Sequence, residues 1–106
     1  PHLSVGDGWW AEGFNGRNGW LIDSNTNPDD HAATDAADAD SLYRILEEQV
    51  VPSFYERDER LIPRRWLHVV REAMRSNLPR FSARRMVKQY VREMYAPAAQ
   101  AATTAR

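Results

Sequence analysis

The stretch Asp7-Gly-Trp-Trp-Ala-Glu-Gly-Phe-Asn-Gly-Arg-Asn-Gly-Trp20 decides how the rest of this 106-residue chain is read. All five glycines of the chain fall within residues 6–19, and three of its four tryptophans (Trp9, Trp10, Trp20) fall within the quoted stretch. Glycine lets the backbone enter φ > 0 and approach neighbours closely. Tryptophan buries a large area and needs a partner for its indole N–H. Together they describe a tightly turned, packed loop, not a linker. Leu3–Val5 and Gly19–Ile22 fit short strands at its two ends. As packed aromatics, Trp9 and Trp20 are each expected to cost several kcal/mol when cut back to alanine.

Outward from this Gly/Trp loop (residues 1–22) the composition changes. Residues 23–39 mix turn formers, acids and alanines without an apolar period, which reads as an acidic surface loop. Helices are expected over 40–97. The first starts at Asp40 or Ser41, either of which can cap it, and carries Leu42, Ile45, Leu46 and Val50. Pro52 should kink or break it, with a short helical piece after. Pro63 fits the start of a second helix with the stripe Trp66, Val69, Val70, Ala73, Met74. Asn77 and Pro79 end it. Ser82 caps a third helix, with Met86, Val87, Tyr90, Val91 and Met94 at spacings of three and four, and Pro97 should stop it. Residues 98–106 read as a frayed tail. The fold class is therefore mainly α: a Gly/Trp loop, then about three helices.

Composition removes several function classes. There is no cysteine, so neither disulfides nor thiolate metal sites exist. His2, His31 and His68 are scattered, so no metal site is expected. No apolar run reaches the length of a membrane span. The start at Pro1 lacks a signal-peptide pattern and reads as a fragment or processed product of a cytoplasmic protein. The net charge of −1 hides an asymmetry: residues 1–59 carry thirteen acids and three bases, while 60–106 carry two acids and eleven bases. Such halves either neutralise each other or present a basic face to a partner.

Three constellations are candidates for chemistry. Asp7, Trp9, Trp10, Glu12 and Asn15 could face a sugar, with rings stacking on pyranose faces and carboxylates holding hydroxyls; residue types alone favour packing. A catalytic carboxylate pair needs a set separation around a substrate, which Asp7 and Glu12 do not establish. Arg80, Arg84, Arg85, Lys88 and Arg92 could contact phosphate or nucleic acid, yet no nucleic-acid module surrounds them, and a solvated or domain-facing stripe is favoured. His68 is a lone helical histidine, read as packed or half-exposed. No phosphate-cradling glycine motif or nucleophile elbow occurs, so no catalytic or cofactor-binding residue is assigned.

Four stretches in order resemble the short bacterial type of α-glucan (glycogen, maltodextrin) phosphorylase: Leu3 to Trp20, Asp40 to Asp58, Pro63-Arg-Arg-Trp-Leu67 with its helix, and Arg84 to Pro97. The resemblance implies a piece completing the C-terminal Rossmann-like domain of a two-domain α/β (GT-B) glycosyltransferase. It implies release of glucose 1-phosphate from α-1,4-glucans by inorganic phosphate, with pyridoxal phosphate as cofactor of the parent. The family's Schiff-base lysine lies in a Glu-Ala-Ser-Gly-Thr…Met-Lys motif ahead of the position of Leu3, and Lys88 does not match it. The segment alone is expected to be inactive and cofactor-free, with the missing upstream domains as its partners and the Gly/Trp residues near the parent's active site. One departure is local: the connector reads Arg60-Leu-Ile-Pro63, where family members often carry a glycine before the proline. The alternatives left open are a non-catalytic helical interaction module and, less favoured, a nucleic-acid binder through the Arg-rich C-terminal half.

Overall fold

The two expected strands form and pair. In the computed structural model, which describes residues 1–24 and 30–104, β1 (His2–Val5) and β2 (Gly19–Ile22) run parallel, with His2 opposite Gly19 and Val5 opposite Ile22. A parallel pair needs a crossover, and the Gly/Trp stretch is that crossover. It is not all loop: Gly8–Gly13 forms a short helix, α1. Gly19 is required by the pairing, because a Cβ there would stand 2.3 Å from the His2 carbonyl oxygen and 2.8 Å from the Trp10 ring.

Trp10 is the centre of the first unit, residues 1–76. It is 1% exposed, and its indole N–H donates to the Trp20 carbonyl at 3.2 Å. His2 and Phe14 meet its ring at 4.7 and 5.3 Å. Among the described residues, Ile22 and Ile45 are the other buried hydrophobic side chains.

The next helix begins earlier than the sequence suggests. α2 spans His31–Ile45, so residues 31–39 are helical where an acidic loop is expected; residues 25–29 of that stretch lie outside the described residues. Asp30 caps it, its carboxylate accepting from the Ala33 N–H at 3.0 Å. Alanine is the strongest helix former, and a helix turn exposed to water has no apolar period to display. α2 then continues without a break through a π-helical turn, Leu46–Val50, into α3, Val51–Tyr55.

The expected disruption at Pro52 takes this form. A proline ring collides with the carbonyl four residues back in an α-helix. Widening the preceding turn, so that the Val51 N–H reaches the Leu46 carbonyl, relieves the collision without ending the helix. The extra residue also re-phases the buried side: Ser41 and Ile45 are buried, then Ser53.

A tight connector follows. The Asp58 carboxylate accepts from the N–H groups of Arg60 and Ile62, both at 2.9 Å, and pairs with the Arg64 guanidinium. Leu61 is forced to φ 60°, a conformation that favours glycine. α4 (Arg64–Asn77) starts one residue after Pro63. Its Trp66 stacks with Trp20 at 6.1 Å and meets Phe54 in a T-shaped contact at 5.2 Å.

The second unit, residues 77–106, begins with a turn at Asn77–Phe81 and a capped helix. The Ser82 hydroxyl accepts from the Arg85 N–H at 3.3 Å, as expected for an N-cap. α5 (Ala83–Tyr90) runs through a second π-helical turn, Val91–Tyr95, into α6, Ala96–Thr104. Pro97 therefore does not stop the helix, and residues 98–104 are helical where a frayed tail is expected. The reason repeats that at Pro52: the Ala96 N–H bonds to the Val91 carbonyl, again one residue before a proline.

Candidate functional site

Asn18 holds the Gly/Trp segment in place, and sequence reasoning missed it. It is 0% exposed. Its amide donates to the Gly13 carbonyl at 2.6 Å and to the Ser76 hydroxyl at 3.0 Å, and its carbonyl oxygen accepts from the Asn15 N–H at 3.1 Å. The side chain thus satisfies the open end of α1, fixes the following turn and ties both to α4. Ser76 passes the link on by donating to the Glu72 carbonyl at 2.8 Å. Within the turn the Asn15 side chain accepts from the Arg17 N–H at 3.0 Å, and Gly16 sits at φ 78°. The Asn-Gly pair at 18–19 was the available signal.

Electrostatics reinforce the same seam. Glu72 binds Arg75 through two contacts, at 2.9 and 3.1 Å, and lies 3.9 Å from Arg17. The Arg75 guanidinium holds the Glu72 carboxyl below its ordinary range, with smaller help from Arg17 and His68 and against some desolvation. At the connector, the Ile62 N–H, Arg64 and the Arg60 N–H likewise hold Asp58 low, again against desolvation.

The other named residues separate into two groups. Trp10 faces inward as packing. Trp9 is 43% exposed, touching His2 at 5.0 Å and Trp10 at 5.3 Å; this corrects the expectation that Trp9, like Trp20, is a buried aromatic, and Trp20 is itself only partly buried. Asp7 and Glu12 are exposed. The Asp7 carbonyl starts α1 by accepting from Trp10 and Ala11, while its side chain makes no capping bond. Asn15 is a turn holder, with its main chain and side chain both engaged.

Two hollows run beside β2, and Trp20, Gln49, His68 and Val69 line both. The larger measures about 390 Å³ and adds Ser53, Arg64 and Arg65. His68 is exposed there. On the closing helix, Arg84, Arg85, Lys88 and Arg92 border a shallow open hollow of about 580 Å³. Among the described residues no group of His, Asp and Glu is arranged to hold a metal, and no helix is long and apolar enough to cross a membrane. Pyridoxal phosphate does not fit the residues present as a bound cofactor. Its aldehyde needs an enclosed amine, and the only lysine, Lys88, stands exposed on a helix surface.

The described residues thus form a mainly helical fold around a small two-stranded parallel sheet. Comparisons with known proteins identify its relatives. The chain is 46% identical over 94 residues to the glycogen phosphorylase of Aquifex aeolicus, covering 89% of this chain and 13% of that protein. It is 46% identical over 99 residues to the glycogen phosphorylase of Mycobacterium tuberculosis, 93% of this chain and 12% of that protein. To the maltodextrin phosphorylase of Thermococcus litoralis it is 43% identical over 97 residues, 92% of this chain and 11% of that protein. No family model and no solved structure matches. The chain is thus similar, over about nine tenths of its length, to one part of glycogen and maltodextrin phosphorylases, and it spans about one eighth of the length of these relatives.

Proposed function

We propose that the chain is the C-terminal segment of an α-glucan phosphorylase, a glycosyltransferase that transfers glucosyl units from α-1,4-glucans to inorganic phosphate. The similarity over about nine tenths of the chain carries this reading. The parent binds pyridoxal phosphate through a lysine outside this segment and works in the cytoplasm. The parallel β1–α1–β2 unit supports placing the segment in a Rossmann-like domain of a GT-B enzyme, since such units build those sheets.

Within that reading the Gly/Trp segment lies near the parent's active site. Trp10 and Asn15 act there as scaffold. Trp9, Asp7 and Glu12 are the exposed side chains able to face the glucan. Catalysis itself belongs to the remainder of the parent.

The coding sequence upstream of Pro1 tests this. It is expected to continue in frame into a Ser-Gly-Thr…Met-Lys motif a short way before Leu3. An initiator codon directly ahead of Pro1, with no such motif, would overturn the reading and leave a helical interaction module.

A further inference from the structure

The helix α1 is too short to hold its own direction. Its six residues, Gly8–Gly13, fall well under the length at which a helix is stable alone, so its angle on the sheet is set by what grips it. Trp10 grips its middle, through a buried ring and the indole N–H on the Trp20 carbonyl at 3.2 Å. Asn18 grips its end, donating to the Gly13 carbonyl at 2.6 Å. That carbonyl is one of the acceptors a helix leaves open at its C-terminus. The same amide donates to the Ser76 hydroxyl at 3.0 Å, which ties the end of α1 to α4. A body held at one point can swing about it; the second grip removes the swing.

Trp9 and Glu12, three apart, share a face of α1, with Trp9 43% exposed and Glu12 exposed. Glu12 directly precedes the gripped carbonyl. We propose that Asn18 is a positioning residue for glucan binding: by holding the last carbonyl of α1 against α4, it sets the angle at which the Trp9 ring and the Glu12 carboxylate meet a pyranose. An amide suits the place because its nitrogen donates twice while its oxygen accepts, here from the Asn15 N–H at 3.1 Å. Aspartate would set an oxygen against the Gly13 carbonyl; alanine would strip that carbonyl and the Asn15 N–H of this partner. The inference rests on the phosphorylase reading, in which the Gly/Trp segment lies near the active site, and adds to it a buried residue that acts without touching substrate.

The test uses the Aquifex aeolicus phosphorylase with its matching segment replaced by this chain, assayed first with maltodextrin varied and then with phosphate varied. Asn18→Ala and Ser76→Ala should each raise KM for maltodextrin several-fold, with kcat and KM for phosphate little changed, as when an interaction made equally in the ground and transition states is lost. Ser76→Ala removes only the far end of the tie and so serves where Asn18→Ala does not fold. Trp9→Ala should raise the same KM, and Trp9→Ala combined with Asn18→Ala should raise it by less than the product of the separate effects, because Asn18 acts through Trp9. Ile45→Ala, which cuts back a buried side chain of α2, is the stability control: it should lower the melting temperature and leave KM in place. An unchanged KM in Asn18→Ala and Ser76→Ala would overturn the inference, as would an equal shift in Ile45→Ala or a combined effect equal to the product. Phosphorolysis by the unsubstituted chimera reads the phosphorylase assignment separately. An active chimera whose KM ignores Asn18 and Ser76 sinks only the positioning claim; an inactive, well-folded chimera removes both.

Discussion

At the residue scale, the two adjacent tryptophans have opposite fates, and the difference is measurable. Trp10→Ala removes a side chain that is 1% exposed and bonded through its indole. The expected cost is about 3–5 kcal/mol. Trp9, 43% exposed, should cost about 1 kcal/mol. Urea melts of both variants check this; equal losses would contradict the assignment. Leu61 offers the opposite sign. Its φ of 60° costs a leucine about 1–2 kcal/mol that glycine does not lose. Leu61→Gly should therefore raise stability by about 1 kcal/mol once the extra freedom of the unfolded glycine is subtracted. Asp58 gives a pH dependence. Its folded-state pKa is lowered, chiefly by the Ile62 N–H, so its contribution is present above the ordinary value of 3.8 and is lost as pH falls through the lower folded value. Asp58→Asn should flatten that acid limb of a melting-temperature profile.

At the scale of elements, the two long helices solve one problem in the same way. Each carries a proline two residues after a π-helical turn, Pro52 after Leu46–Val50 and Pro97 after Val91–Tyr95. If the proline causes the wide turn, Pro52→Ala lets it tighten to α geometry and rotates α3 by about 100°. Phe54 then leaves Trp66, which it now meets in a T-shaped contact at 5.2 Å. Loss of nuclear Overhauser contacts between the two rings is the expected result; their persistence would show that packing, not proline, holds the turn. The same turns mark where sequence reading fell short. Apolar spacing located α4 and α5, because Val69, Val70, Met86 and Tyr90 recur at helical intervals. It could not find residues 31–39, whose alanines and aspartates show no period, nor foresee that a helix passes through Pro97. Both strands were legible from Leu3–Val5 and Gly19–Ile22, but their parallel pairing depends on the crossover packing of Trp10. Asn18 was illegible as an anchor because its partner Ser76 is 58 residues away.

At the scale of the whole molecule, the balance of buried and exposed surface supports the functional reading. Among the described residues only Trp10, Ile22 and Ile45 form the buried apolar core, while sixteen large hydrophobic side chains remain at least 36% exposed. A small domain is marginal even when most of its apolar surface is covered. Exposed apolar patches of this kind mark surfaces that meet other protein. That balance is what a segment cut from a larger phosphorylase should show. The candidate site fits the same pattern: the Gly/Trp turn is firmly held by Asn18 and Trp10, yet it presents no nucleophile, cofactor amine or metal ligand set. Release of glucose 1-phosphate from maltodextrin and phosphate tests this most directly, comparing the isolated chain with the Aquifex aeolicus phosphorylase carrying this chain in place of its matching segment. The account predicts release by the chimera and none by the chain alone; an inactive, well-folded chimera, or phosphorolysis by the isolated chain, would contradict it.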